Sequence, residues 1–540
     1  MPITPNDSDE NAIQVIAQQE VAAGLRGNWE AVWEQIAERI LPQYAKQFST
    51  HNTAEVTPGA QYTAEMVDTT GALALTRFGA AMESMLTPRN STWHSLVPSD
   101  RVLMRDRETR LWFEEATRLL FQLRYAPKAN FASQKHEDYL MLGAFGTGSM
   151  FIDQLASKYE RGLRYRAVHL GQCYFMENHQ GLIDTNLRKF SYTAKQALDH
   201  FRKEDLPDII VKQAVDPKQC HKTHWFIHKV APRDEKKYDP ERKDVDGMPW
   251  YSCYVSITGK KTISESGYRS FPYSISRYVT APGDLYGRSP AMFALPGLKS
   301  LNEMKKTAIK QGHRVVDPVL LAHDDGIVDT FSLRPGAVNA GGVSADGKLL
   351  VHTLPTGNLA VSEKMMDAEK LAINDFFLVT LFQILVDTPQ MTATEVVERA
   401  REKGALLSPT MGRQQSESLG PQIERELDLL MQMKLLPPMP PALLEARGEY
   451  TIQYDSPLSR MARAEEASGF MRMIDWTTNI FNVTQDPSLF DHYNFDEAIP
   501  DLSDSQAVPV RWRNPPAKVQ AQRAARAKQA EMQQAIEAAP

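Results

Sequence analysis

Through the first third of the chain, apolar positions recur with a helical period. Trp29, Val32, Trp33, Ile36 and Ile40 fall at i, i+3, i+4, i+7 and predict an amphipathic helix that Leu41–Pro42 ends. Ala72, Leu75, Gly79, Met82 and Leu86 predict a second helix, with a narrow seam containing small residues, stopped at Thr87–Pro88. Leu111, Trp112, Leu119, Leu120 and Leu123 mark a third, and Tyr139–Phe145 the end of a fourth. From Ser149 to about Tyr278 the period shortens to that of strands. Asn178–Gly181 reads as a hairpin turn. The β-rich runs THWFIHKV and WYSCYVSITGKKT are separated by a charged insert, APRDEKKYDPERKDVDGMP. The pattern predicts an α+β protein with an antiparallel sheet.

Beyond the strands, a long helix is predicted from Ala291 to Val316, with Asp317–Pro318 as its stop. A Gly-, Pro- and Asp-rich stretch, 317–356, reads as a compact strand-and-turn insert. A second long helix is expected from about Leu359 to Val386. It halts at Asp387, Thr388, Pro389 and Gln390, since proline lacks an N–H and clashes with the preceding turn. After Met391 the chain restarts at once: Thr392 and Glu395 have capping-box spacing, and Glu395–Arg399 is a favourable i, i+4 pair. Leu419, Ile423, Leu427 and Leu430 continue a helical seam as far as LLPPMPP. The stretch 517–539 is polar, Ala-rich and helical in pattern.

The chain has 540 residues, which predicts roughly three to four folding units. Lys+Arg number 61 against 67 Asp+Glu, a net charge of −6. A protein that grips nucleic acid tightly carries a basic surplus, so any DNA contact here is expected to be local or loose. Three scattered cysteines, Cys173, Cys220 and Cys253, argue for a reducing compartment and against a disulfide framework. The N-terminus lacks the regions of a signal peptide, and the longest apolar run, Phe376–Val386, is shorter than a membrane span. The expectation is a soluble intracellular protein without a membrane partner.

Candidate chemistry is sparse. On the helix from Ala291, Lys299, Lys306, Lys310 and His313 lie within about 60° of one another, with Arg314 beside them. This basic stripe is either a solvated face or a face toward a polyanion or a neighbouring subunit. Glu363, Asp367 and Glu369 on the following helix are candidate acidic partners. His221, His224 and His228 have metal-like intervals, but the stretch alternates like a strand and lacks H-E-x-x-H. Solvent-facing histidines on a sheet are the expectation, and a zinc-dependent hydrolase the remote alternative. GAFGTGSMF lacks phosphate-loop spacing, and no nucleophile elbow occurs. No catalytic residue, metal or cofactor is assigned. Lys518, Arg523, Arg526 and Lys528 in the tail read as a solvated helix, with nucleic-acid contact a weaker option.

Three stretches in this order, MESMLTPRNSTWHSL (82–96), GDLYGRSPAMFALPGLKSLNEMKKTAIKQ (283–311) and MTATEVVERAREKGALLSP (391–409), resemble the head-to-tail connecting, or portal, proteins of short-tailed bacteriophages. The likeness runs from about residue 11 to 441. It implies a non-enzymatic virion component that assembles as a dodecameric ring at one capsid vertex, with an axial channel for double-stranded DNA. It implies an α/β wing (1–290), stem helices (291–316 and 357–386) flanking a β-rich clip (317–356), and a tunnel loop at Asp387–Met391. A long wing helix (392–440), a crown (441–505) and a C-terminal helical tail (506–540) would follow. Implied partners are the terminase large subunit, tail adaptor and nozzle proteins at the clip, and major capsid and scaffolding proteins. A tail adaptor or internal head protein is the alternative within the virion.

Overall fold

The computed structural model describes residues 5–48, 63–380 and 409–537, apart from short stretches at 101, 105, 156–159, 235–237, 240, 243, 323–331, 356–358, 447, 456, 506–507 and 509. Helices α1 (Pro5–Leu25), α2 (Gly27–Ile40) and α3 (Thr70–Leu86) come first. Strand β1 (His94–Pro98) and helices α4 (Arg107–Arg124) and α5 (Phe131–Phe145) follow. Helices α2, α3, α4 and the end of α5 are those the periodicity predicts, whereas α1 was not read from the sequence. The small residues of their seams permit close approach: a methyl on Gly79 would stand 2.9 Å from Leu140, and one on Gly143 would stand 2.6 Å from Leu75. The glycines of GAFGTGSMF therefore serve packing. Gly146 ends α5 at φ +79 and lies against the Gly287 carbonyl, where only a hydrogen fits.

The strand region forms two antiparallel sheets. Strands β2 (Thr147–Gln154), β3 (Leu163–Ala167) and β9 (Tyr273–Arg277) make a three-stranded sheet, order β3-β2-β9. Strands β4 (Cys173–Glu177), β5 (Ile183–Thr193), β6 (Thr223–Pro232), β7 (Trp250–Ser256) and β8 (Lys261–Tyr268) make a five-stranded meander. The β4–β5 turn is the predicted one: Gly181 sits at φ +77, and the Asn178 side chain accepts from the Gln180 and Leu182 amides. Alternation decides what each face of the meander meets. Leu187, Ile227, Cys253 and Val255 pack against Ala12, Val15 and Ala22 of α1. The opposite parity, Phe190 and Phe226, packs on α6 (Ala194–His200) and α7 (Asp208–Val215).

The two long helices of the second half are α8 (Pro290–Val316) and α9 (Leu359–Phe376), joined through a small ladder of β10 (Leu320–Ala322) and β11 (Val351–Thr353). The expected unbroken run of the second helix toward Val386 is corrected in one respect among the described residues. The helix is interrupted after Phe376: Phe377 and Leu378 form a turn, Leu378 at φ 58, and Val379 and Thr380 are helical again. Phe377 and Val379 on either side are both buried, so the break seats two apolar side chains that a straight helix would splay apart. Residues 409–413 are helical. A wide π-turn, Gln414–Leu419, leads into α10 (Gly420–Gln432). Pro421 has no N–H to return to residue 417, and its ring would crowd that carbonyl, which accounts for the widened turn. Helix α11 (Pro441–Glu445) and strand β12 (Tyr450–Tyr454) follow, the strand pairing with β1. Helices α12 (Pro457–Thr484), α13 (Phe495–Ser505) and α14 (Pro516–Glu537) close the chain, the last matching the predicted terminal helix.

Candidate functional site

Most of the predicted site residues that lie among the described ones fall on the α8–α9 arm. Its start is fixed chemically. Ser289 caps α8 by accepting from the Met292 amide at 2.9 Å and donates to the Ala144 carbonyl at 2.8 Å, with Pro290 in the first turn. Ala291, Ala294, Leu295, Leu298 and Leu301 are buried, whereas Lys310 and residues 313–317 are exposed. A helix of 27 residues spans about 40 Å, so the root of α8 belongs to the core and its far half projects from it.

Helix α9 returns against this root. A methyl at Gly297 would stand 3.0 Å from a Glu369 carboxylate oxygen and 3.7 Å from Ile373, so the glycine admits α9 closely. One loop braces the arm. The Asn302 amide oxygen accepts from the Val67 and Asp68 amides at 3.2 and 2.8 Å, and Lys305 pairs with Asp68 at 2.9 Å. Burial alone would raise the Asp68 carboxyl, but hydrogen bonds from Thr70 and Lys305 outweigh it and hold it below the ordinary range. Between the helices, the insert presents apolar side chains to solvent: Val338 is 95% exposed, and Leu333, Val343 and Leu349 are also exposed.

The predicted site residues are distributed along this arm. Lys299 donates to Gln35 at 2.6 Å, and Lys306 pairs with Glu303 at 2.9 Å and lies 3.9 Å from Glu65, so both reach toward their own subunit. Lys310, His313 and Arg314 are exposed on the projecting half. Of the acids, Glu369 packs at Gly297, Asp367 pairs with Lys370 at 3.0 Å, and Glu363 is exposed. Asp387, Thr388, Pro389, Gln390 and Met391, with the restart pair Thr392 and Glu395, lie outside the described residues.

The histidine expectation is corrected. His224 and His228 are buried rather than solvent-facing. His224 contacts Gln213 at 2.7 Å, while His228 lies between Tyr273 (2.9 Å) and Ser252 (3.0 Å) and stacks on Tyr254 at 4.1 Å. Burial, then Arg188, pushes the His228 imidazole well below its ordinary value. The ring nitrogens of His228 are engaged by the fold, and His221 lies exposed before the strand begins. No group of three metal-capable side chains occurs among the described residues, and no described helix is long and apolar enough to cross a membrane.

Sequence reasoning missed a buried polar spine where the chain re-enters the body after the arm. Gln414, Ser418, Gln422, Arg425 and Glu426 are all buried. Glu426 receives Arg124, Tyr165 at 2.7 Å and Gln422 at 2.8 Å, and Arg124 also contacts His94 at 2.9 Å. Ser418 accepts from Lys135 at 3.0 Å, Lys135 pairs with Asp138 at 2.9 Å, and Gln414 donates to the Arg277 carbonyl at 2.9 Å. The i, i+4 recurrence of these polar residues beside the apolar seam was the available signal. On its own it reads as a solvated face.

The chain is 28% identical over 457 residues to the probable portal protein of Bordetella phage BPP-1, covering 83% of this chain and 79% of that one. It is 26% identical over 525 residues to the portal protein of Salmonella phage epsilon15, covering 95% of this chain and 90% of that one. The family model for bacteriophage head to tail connecting proteins matches residues 13–512. The chain belongs to this family of head-to-tail connecting proteins.

Proposed function

We propose that this chain is a portal subunit: a non-enzymatic virion component that forms the ring-shaped DNA channel at one capsid vertex. The genome enters through it, driven by the terminase motor, and later leaves through it, and the tail attaches to it. The observation that carries this reading is the family match across residues 13–512. The names of two relatives aligned over most of their lengths support it. In this reading the subunits close a dodecamer, with residues 1–290 as wing, α8 and α9 as stem, the exposed insert as clip, and Asp387–Met391 as tunnel loop. The segment 392–440 returns to the wing, 441–505 forms the crown and 506–540 the helical tail. Double-stranded DNA, the terminase large subunit, tail adaptor and nozzle proteins, and capsid and scaffolding proteins are the partners.

Electrostatics fit a conduit. A channel of many strong phosphate contacts would hold DNA rather than pass it, and the chain's net charge is −6. Two of the stripe's lysines, Lys299 and Lys306, are engaged by Gln35 and Glu303, which leaves Lys310, His313 and Arg314 for spaced contacts with DNA or a neighbour. The test is electron microscopy and mass photometry of the purified full chain. Ring particles with a central hole and a mass near a dodecamer are expected. A compact monomer binding one zinc per chain would overturn the reading.

A further inference from the structure

Two arginines, Arg166 and Arg188, stand on the facing sides of the two sheets. Across the three-stranded sheet, Arg166, Phe151 and Tyr273 stand in register as one cross-strand row. Across the meander, Arg188, His228 and Tyr254 form another. The rows face each other. The His228 Nδ1 lies 2.9 Å from the Tyr273 hydroxyl, and the Phe151 ring is 6.0 Å from that of His228 and 5.0 Å from that of Tyr273. Arg166 and Arg188 thus belong to facing rows of one interface, and the charge of Arg188 is felt at Arg166.

Their partners there are neutral. Tyr192 beside Arg166 and Tyr273 beside Arg188 are close enough to act on the charge of each guanidinium. Arg188 also lies against the Phe190 ring, its Cζ 5.1 Å from the centroid. Among the described residues, no hydrogen-bond partner meets the Nε of Arg188, although the residue is only 6% exposed. Beside it, Asn186 likewise keeps an unpartnered amide oxygen. Asp153 lies two positions along β2 on the same face, but it is 3.7 Å from Arg425 and accepts from the Gln154 amide at 2.8 Å. Burial and then Arg188 lower the Arg166 guanidinium below its ordinary value, the direction set by a like charge and lost water. Arg166 is exposed, so the pair opens to solvent at one end and is buried at the other.

We infer that Arg166 and Arg188, flanked by the Tyr192 and Tyr273 hydroxyls, form an oxyanion-binding site that takes a phosphate group. A planar guanidinium fork matches phosphate oxygens in a bidentate way, and an anion between the two removes their mutual repulsion. The phosphate comes either from the free anion or from a nucleic-acid backbone. This site is independent of the channel reading, since it needs neither ring closure nor the arm.

The test is calorimetric titration of the full chain with inorganic phosphate, and separately with a short DNA duplex, at constant ionic strength set with chloride. Arg166→Gln removes an exposed side chain and should leave the fold intact. Arg118→Gln, on α4, is the charge-matched control. Arg188→Lys keeps the charge but loses the fork. Phosphate binding weakened at least about tenfold by Arg166→Gln and by Arg188→Lys, and unchanged by Arg118→Gln, establishes the free-anion site. Binding of the duplex alone with the same Arg166 dependence assigns the phosphate to a backbone. If neither ligand binds, or if Arg166→Gln and Arg118→Gln behave alike, the site holds only water and the inference is overturned.

Discussion

The body and the arm of this subunit treat charge in opposite ways. In the body, Arg124 and Glu426 are fully buried, and each is surrounded by further hydrogen bonds from His94, Tyr165 and Gln422. On the far half of α8 and the insert, charged and apolar side chains alike stand in solvent. Met473, Trp476, Ile480 and Val483 make a second exposed apolar stripe along α12, with Trp476 64% exposed. A buried ion pair adds little net stability but is costly to break, so it fixes how α10 seats rather than how tightly. An exposed apolar stripe is idle until something covers it. Among the described residues the body's charges find partners within the chain, whereas the arm and α12 keep apolar side chains in solvent.

The sharpest way to break this contrast is Glu426→Ala. It should lower body stability by about 3–5 kcal/mol, because Arg124 would remain buried and unpaired. Denaturant unfolding of the unassembled chain measures this. Gly146→Ala comes next, at about 2–3 kcal/mol, since the new methyl would stand 2.2 Å from the Gly287 carbonyl oxygen at φ +79; the thermal midpoint reports it.

Acid titration probes the same interior. Burial holds His94, His169 and His228 below their ordinary value of 6.5, His169 at about 3, with Arg124, Arg26 and Arg188 respectively adding to the effect. Neutral when folded, they gain protons on unfolding below about pH 6.5. Stability is therefore full above that pH and falls as pH drops toward the folded-state values. Each contributes roughly 1.4 kcal/mol per pH unit in that window, and His228→Asn should remove one proton from the measured slope.

Asp68 brings the contrast to the arm's brace. Its carboxyl is held below 3.8, so its contribution is present above that pH and is lost as pH falls further. Because Lys305 is partly exposed, Lys305→Ala should cost only about 0.5–1 kcal/mol near neutral pH, as read by chemical denaturation. Lys310→Ala, on the exposed half, is expected to leave the midpoint unchanged while altering ring yield or DNA retention.

The sequence was most legible where one period ran uninterrupted. The α2 and α3 seams, the meander strands and the span of α8 all follow from spacing and stop signals. It was less legible where tertiary contacts overrode local pattern. Nothing near Leu378 signals a left-handed residue, because the burial of Phe377 and Val379 decides it. His228 looks like a strand residue facing water until the second sheet, with Tyr273, covers it. The spine on α10 was hidden for the same reason: a polar stripe and a solvated face have the same spelling. The helical arm was readable from periodicity, while Arg166 and Arg188 come to one interface only when the two sheets pack face to face.

The most direct test of the contrast between body and arm is hydrogen exchange on assembled and unassembled full-length protein. The account predicts that assembly protects the distal half of α8, the insert and the exposed stripe of α12, while α5, α10 and the meander exchange alike in both. Protection gained mainly in the body, with the arm and α12 unchanged, would contradict it.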